Sequence, residues 1–193
     1  MRNLKFFALL LTVWFFISGC VSSSPSGPVQ VTGETLYNKY NLHIQYKSST
    51  NISAHYANWT GLFSGHRIIP PNTPVEILPW NRGFIILMTD TGEKIKFHYS
   101  DRHMGMDKQA YIDTIFSSEK VSLDGLSSLD KKGVKQGRAI KGMTRKGVMT
   151  AMGYPAAHKT LELSAREWIF WTNRFGTIAV MFGSDEKVTG VRD

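Results

Sequence analysis

A single cysteine, Cys20, stands in a chain of 193 residues. Because there is no second thiol, an internal disulfide is excluded, and only an intermolecular bridge or a modification of this cysteine is open. The chain also lacks a Gly-x-Ser-x-Gly elbow, a P-loop and a Gly-x-Gly-x-x-Gly loop. Its six histidines do not have the close spacing of zinc motifs. We therefore predict a protein that is not an enzyme, with no catalytic residue, no cofactor and no metal site.

The nearest approach to a reactive cluster consists of His98, Asp101 and His103, at the end of a predicted strand and in the loop after it. Solvent-facing polar side chains explain these three residues more simply than a metal or catalytic site does. A hydrolase built on them is an alternative hypothesis. It predicts a turnover that disappears in Asp101→Ala or His103→Ala.

The N-terminus has the layout of a secretory signal. Arg2 and Lys5 precede a run of 11 residues, 6–16, that carries no charge, and small residues follow. A spanning helix needs about 20 apolar residues, so this run is too short for a permanent anchor. We predict a signal peptide over residues 1–19, and an uncleaved N-terminal anchor is the alternative.

The signal ends in Ile17-Ser-Gly-Cys20, which resembles the lipobox of bacterial lipoproteins. The resemblance implies that Cys20 is lipidated and becomes the first residue of the mature chain, anchored in a membrane by its acyl chains. Residues 20–30 are mostly small, polar and rich in Pro and Gly, which indicates a flexible tether. Val21 stands where an Asp tends to retain enterobacterial lipoproteins at the inner membrane. By that resemblance we expect the periplasmic side of the outer membrane.

The charge of the chain limits its partners. The formal net charge is +8 and the pI is about 9.6. A basic exported body suits anionic headgroups, lipopolysaccharide or an acidic protein, and export makes nucleic acid an unsuitable partner. A basic, solvated surface without a specific ligand is the alternative.

Residues 31–120 predict a small β-rich domain. Short strand patterns occur at 54–59, 66–69, 74–78, 84–88 and 94–99, and Asp/Gly and Pro/Asn breakers separate several of them. In 94–99 the alternation directs Ile95 and Phe97 inward and Lys96 and His98 outward. We expect a compact SH3-like barrel. A helix that begins after Asp107 is expected to close it.

Residues 121–193 predict a second α+β unit. Seven basic and no acidic residues lie between 131 and 146, and glycines interrupt this run, which argues against one long helix. Thr144 is a suitable N-cap for a short helix that Gly153 and Pro155 end. Strands at 167–172, 177–182 and 187–192 then form an antiparallel meander.

The C-terminal unit also carries a family resemblance. The ordered set Gly142-Met-Thr144, Val148, Met152-Gly153, Pro155 and Trp168-Ile-Phe170, with a closing strand that contains Val188, resembles the SmpA/OmlA family. These are the BamE-type domains of small outer-membrane lipoproteins. The resemblance implies two helices packed on a three-stranded sheet, and a role beside the machine that inserts β-barrels into the outer membrane. Two residues depart from the family pattern: Gly147 stands where the family commonly has Gln, and Met152 where it has Leu.

Two binding hypotheses follow for an envelope protein that is not an enzyme. In the first, an envelope protein, such as the barrel-assembly complex, or an anionic envelope component docks on the C-terminal unit. The contact residues would be Trp168, Phe170, Trp171, Arg138, Lys141 and Arg145. In the second, the middle region binds peptidoglycan or another envelope polysaccharide, and exposed aromatics such as Tyr56 and Trp59 beside a groove would favour it.

Overall fold

The computed structural model describes residues 33–193. The predicted signal peptide 1–19, the lipidation site Cys20 and the tether 20–30 lie outside the described residues. The first part of the described chain contains β1 (Leu36–Asn38), β2 (Leu42–Ser48), β3 (Asn51–His55), β4 (His66–Ile69), β5 (Pro74–Trp80), β6 (Gly83–Met88), β7 (Lys94–His98), α1 (Asp101–Met104), α2 (Lys108–Ile115) and β8 (Phe116–Ser117). The second part contains α3 (Ser128–Gln136), α4 (Arg145–Met152), β9 (Glu167–Trp171), β10 (Thr177–Phe182) and β11 (Val188–Arg192). The α+β class is confirmed.

The first part forms one large, curled, mixed sheet of eight strands in the order β4-β2-β3-β7-β6-β5-β1-β8. All neighbours pair antiparallel except β3 and β7, which are parallel and align Ser53 with Lys96 and His55 with His98. The sheet is a half-barrel with eight strands, more than the four or five short strands that the sequence predicts. The additional strands include β1 and β2, where the sequence showed no decisive period.

The hairpin β6–β7 illustrates how local sequence sets this sheet. The alternation in β7 is confirmed, because Ile95 and Phe97 are buried while Lys96 is exposed. Gly83 opens β6 with a φ of 153°, and a Cβ at this position would lie 2.0 Å from the Phe97 carbonyl oxygen. Only glycine therefore permits the close approach of the two backbones at this point.

Helix α2 covers the concave side of the sheet, as expected for a closing helix. The Asp107 carboxylate accepts a hydrogen bond from the Ala110 N–H at 2.8 Å and caps the first turn. The buried face of the helix packs on the sheet through Tyr111, Ile112 and Ile115. One apolar core results, and its sheet residues include Ile44, Phe84, Ile86, Ile95 and Phe97.

The second part contains α3, α4 and a separate sheet of order β11-β10-β9, with its own core. The predicted start and end of α4 are confirmed, because the Thr144 hydroxyl accepts from the Gly147 N–H at 3.0 Å and Gly153 follows the last turn at a φ of 83°. Helix α3 ends at Gly137. The basic run is therefore divided between α3, the connection that follows it and α4. Within residues 33–193, no helix is long and apolar enough to cross a membrane.

Asp130 joins α3 to α4. Its buried carboxylate accepts hydrogen bonds from the backbone N–H and hydroxyl of Ser127 at 3.1 and 2.8 Å, which completes a capping box. The same carboxylate accepts from the backbone N–H and hydroxyl of Thr144 at 2.8 and 3.1 Å. Gly147 packs directly against it, since a Cβ there would lie 2.0 Å from an Asp130 oxygen. One carboxylate thus fixes the starts of both helices.

Backbone hydrogen bonds hold the two parts together. The Thr60 N–H donates to the Trp171 carbonyl at 2.8 Å, and the Gly61 N–H donates to the Thr172 carbonyl at 3.0 Å. At a second point, the backbone N–H of Asn41 donates to the Thr150 carbonyl at 2.8 Å. The side-chain amide of Asn41 donates to the Val134 and Ala151 carbonyls at 2.7 and 3.0 Å. The bonds from Thr60 and Gly61 place the end of β9 beside the segment that follows β3, and the bonds from Asn41 join the turn after β1 to α3 and α4.

Candidate functional site: a basic, aromatic groove

A groove of about 490 Å³ lies on the face of β2, β3 and β7 that points away from the core. Its floor consists of outward-pointing residues, and the strand register aligns Gln45 with Ser53 and Ser53 with Lys96. The next aligned pair, His55 and His98, continues the floor. Side chains on adjacent strands at these positions lie side by side, so the floor is a continuous row of hydrogen-bonding groups.

The walls of the groove come from two distant segments. The chain after β3 supplies Tyr56 and Trp59, and the end of β9 with the following turn supplies Trp171 and Arg174. The hydrogen bonds from Thr60 and Gly61 to β9 fix these two walls relative to each other. The groove therefore exists only because the C-terminal sheet packs beside the larger one.

Stacked rings line the groove. The His55 ring lies 4.7 Å from the Trp59 ring at an interplanar angle of 15°, and 4.3 Å from the Tyr56 ring. On the opposite wall, Trp171 stacks on His158 at 5.9 Å. The indole N–H of Trp171 is buried and finds no acceptor among the described residues. Buried polar groups are normally hydrogen-bonded, so this donor is an exception within the wall of the groove.

The charge of the groove is positive. Lys47, Lys96 and Arg174 line it, and no Asp or Glu does so among the described residues. The three ion pairs found in residues 33–193 are Arg67–Glu93, Arg145–Glu186 and Arg192–Glu167, none of which involves these cations. A concave surface with one sign of charge attracts ligands of the opposite sign.

The histidines of the floor are neutral at physiological pH. Burial, followed by electrostatic interaction with His98 and His103, lowers the pKa of His55 to about 4. Burial also lowers the pKa of His98, and Arg82 and Lys96 add to this effect. The positive charge of the groove therefore comes from its lysines and arginine, while the imidazoles act as flat, neutral rings.

The predicted docking residues on β9 lie on opposite faces of the strand. Trp168 and Phe170 are each 1% exposed and belong to the core between β9–β11 and the helices, so neither can serve as an exposed anchor. This corrects the prediction of an aromatic docking edge. Alternation along the strand directs these two rings inward and directs Trp171 to the other face, where it lines the groove.

The three basic residues of the predicted docking site, Arg138, Lys141 and Arg145, also differ in their surroundings. Arg145 forms an ion pair with Glu186, and its guanidinium donates to the Leu163, Ser164 and Ala165 carbonyls at 2.8, 3.2 and 2.7 Å. The bonds to residues 163–165 hold the loop before β9 in place. Because the guanidinium is engaged within the protein, we do not expect Arg145 to be free for a partner. Arg138 and Lys141, by contrast, are exposed, and neither forms an ion pair among the described residues.

The cluster of His98, Asp101 and His103 does not assemble as a catalytic unit. The Nδ1 atom of His103 lies 2.8 Å from the Ser100 hydroxyl and 3.0 Å from the Tyr56 hydroxyl. His98 instead pairs with His55 and Trp80. In residues 33–193, no group of three or more His, Cys, Asp or Glu side chains is arranged to hold a metal ion.

Comparisons with protein-family models, with curated proteins and with solved structures gave no match.

Sequence reasoning identified only part of this groove. The sequence marks Tyr56 and Trp59 as candidate aromatic contacts, and the alternation in β7 predicts that Lys96 and His98 face outward. Lys47, Gln45 and Arg174 were missed, because the β2 pattern is irregular and the turn that carries Arg174 is distant in sequence. The inward and outward positions of β2 can be assigned only once Leu42 and Ile44 are known to lie in the core.

Proposed function

We propose that the protein is a lipid-anchored binding module on the periplasmic side of the outer membrane, and that its groove binds an anionic glycan of the envelope such as peptidoglycan. The observation that carries this proposal is the groove itself, in which three cations without a carboxylate face stacked aromatic rings. Sugar rings pack on flat aromatic surfaces, and the carboxylates of peptidoglycan suit the cations. The protein binds this polymer and does not cleave it.

The groove also suits a polymer rather than a compact metabolite. Its floor presents hydrogen-bonding groups on three adjacent strands, Gln45, Ser53 and Lys96. A ligand that extends across the strands could contact Lys96 together with Trp59 or Trp171. The lipid on Cys20 and the tether 20–30 would hold this surface within reach of the cell wall.

We also propose that residues 121–193 form a domain of the SmpA/OmlA type. The helix pair α3–α4, followed by the meander β9–β10–β11, supports this assignment. A second function, docking on the barrel-assembly complex, draws support from the exposed Arg138 and Lys141. The buried Trp168 and Phe170 contribute nothing to it.

Sedimentation with purified peptidoglycan sacculi tests the glycan proposal, using the full mature chain extracted from membranes. We expect Lys96→Glu to lower the affinity by about tenfold or more, which corresponds to about 1.4 kcal/mol. The matched control is Lys94→Glu, the same charge change on the same exposed side of β7 but outside the groove. The control should bind as the unchanged protein does.

A second pair of variants tests the aromatic wall. Trp59→Leu should weaken binding by a similar factor because it removes the stacked ring, whereas Phe63→Leu, an exposed ring outside the groove, should have no effect. Raising the salt concentration should also weaken binding, because the cations are exposed. Equal sedimentation of Lys96→Glu and Lys94→Glu would refute the groove as the binding site. Crosslinking in cells to the barrel-assembly complex, with no binding to sacculi, would favour the second function.

A further inference from the structure

A second cavity, of about 510 Å³, lies away from the groove at the junction of the two parts. Small-molecule sites commonly measure about 300–1,000 Å³. Its walls come from the turn after β1, the segment after β8, helix α4 and the loop before β9. We call it the apolar cleft, and its apolar lining residues are Tyr40, Val121, Leu123, Met149, Leu163 and Trp168.

Hydrogen bonds that do not involve a ligand hold the walls of this cleft in place. The Asn72 side chain accepts from the Val121 N–H at 2.7 Å and donates to the Val121 carbonyl at 2.9 Å. Arg145 fixes the opposite wall through its bonds to the carbonyls of residues 163–165. Because both walls are fixed within the protein, the cleft is formed before anything binds.

Basic side chains also line the apolar cleft. Lys39, Arg145 and Lys146 line it, and no Asp or Glu does so in the part of the chain that the structure describes. Lys39 donates to the Asp113 carbonyl at 2.7 Å, which is a neutral acceptor and leaves the ammonium charge uncompensated. Arg145 is paired with Glu186, whereas Lys146 is exposed and takes part in none of the ion pairs of residues 33–193.

We propose that the apolar cleft binds a long-chain fatty acid, with the hydrocarbon chain along Met149 and Leu123 and the carboxylate at Lys39 and Lys146. An alkyl chain needs no hydrogen-bond partner, which matches walls built mainly of apolar side chains. Lys39 and Lys146, which line the same cleft, offer cationic partners to the carboxylate of a fatty acid. The cavity volume suits one chain rather than the two chains of a phospholipid.

The position of the cleft agrees with a ligand that comes from a membrane. Lys39 follows the three-residue strand β1, and Gly33 is the first described residue. An extended chain spans at most about 3.6 Å per residue, so Lys39 lies within roughly 20 Å of Gly33. The lipid anchor proposed at Cys20 would tether the cleft to the membrane that supplies the fatty acid.

Photocrosslinking tests this proposal. The full mature chain, reconstituted in phosphatidylcholine nanodiscs, is irradiated with palmitate that carries a diazirine, and the labelled peptides are mapped by mass spectrometry. We expect label on the peptides that contain residues 121–123 and Met149. The corresponding diazirine alcohol, which lacks the carboxylate, should label them about tenfold less.

Variants separate the two halves of the proposed site. Met149→Glu should abolish labelling, and Lys146→Glu should reduce it about tenfold because it replaces an attractive charge with a repulsive one. The matched controls are Leu161→Glu, an exposed leucine outside the cleft, and Lys141→Glu, an exposed lysine outside it. Both controls should be labelled as the unchanged protein is. Leu163→Glu, at a residue 38% exposed, replaces Met149→Glu if the latter does not fold.

The proposal is overturned if Met149→Glu or Leu163→Glu, still folded by circular dichroism, is labelled at residues 121–123 as strongly as the unchanged protein. It is also overturned if the label lies mainly outside the cleft, or if a diazirine phospholipid labels the cleft in preference to palmitate. Labelling that depends on Met149 and Lys146 supports it. The outcome is independent of binding to sacculi, which uses the groove.

Discussion

Acidification should destabilise the protein because His43 is buried in its neutral form. Its ring lies between the large sheet and the helices, where Nε2 is 2.9 Å from the Ala151 carbonyl oxygen and Nδ1 is 3.0 Å from Nε2 of His66. A carbonyl oxygen only accepts, so Nε2 of His43 carries the hydrogen, and in the neutral ring Nδ1 accepts from His66. Burial lowers the pKa of His43 to about 4, although the bond to Ala151 acts in the opposite direction and His66 adds to the lowering.

The magnitude follows from proton linkage. The unfolded chain has an ordinary histidine pKa of 6.5, so below pH 6.5 it binds a proton that the folded chain does not. The contribution of neutral His43 is therefore fully present above pH 6.5 and is lost as the pH falls towards 4. At pH 5 the loss is about 2 kcal/mol, and it approaches about 3 kcal/mol at lower pH. Such a loss is a large part of the 5–15 kcal/mol that is usual for the total stability of a domain.

The assay is urea unfolding at pH 7.5 and pH 5. In His43→Gln the amide can still donate to the Ala151 carbonyl, but nothing titrates at this position. We expect the loss of unfolding free energy between the two pH values to be smaller in this variant by about 2 kcal/mol. Ile44→Val, a buried change on the same strand, should instead lower the free energy by about 1 kcal/mol at both pH values. The reasoning is refuted if His43→Gln loses as much free energy on acidification as the unchanged protein.

Three further predictions concern the helix junction and the N-terminus. In thermal melts, Gly147→Ala should destabilise the protein by about 2 kcal/mol although alanine favours helices, because the added Cβ would lie 2.0 Å from an Asp130 oxygen. The control Gly125→Ala should be nearly neutral, because its added Cβ would meet only Lys146 Nζ, at 3.6 Å. Asp130→Ala should cost about 3 kcal/mol in urea unfolding because four donors lose their acceptor, whereas Asp107→Ala, at the exposed cap of α2, should cost about 1 kcal/mol. An equal cost for the two variants would contradict the bridging role of Asp130. Cys20→Ala should lose the mass of attached lipid and should no longer float with membranes, and a variant that still floats without lipid would argue for an uncleaved anchor.

Local chemistry in the sequence was sufficient for several elements. Thr144 and Gly153 predicted the ends of α4, because a hydroxyl N-cap and a glycine after the last turn satisfy backbone groups within a few residues. The alternation in β7 predicted which side chains face outward, and the bounds of β10 were predicted at 177–182. In each case the determining interactions lie within one element or one turn of the chain.

The sequence alone determined an α+β chain with these capped helices and alternating strands, and it marked Tyr56 and Trp59 as candidate ligand contacts. Only the tertiary structure decided that β3 pairs with β7, which brings His55 beside His98 although 42 residues separate them in sequence. It also decided which face of β9 is covered. That strand carries large apolar side chains on both faces, so its pattern could not show that Trp168 enters the core while Trp171 lines the groove. The physical reason is that burial depends on what packs against a face, and the packing partner here comes from a distant part of the chain.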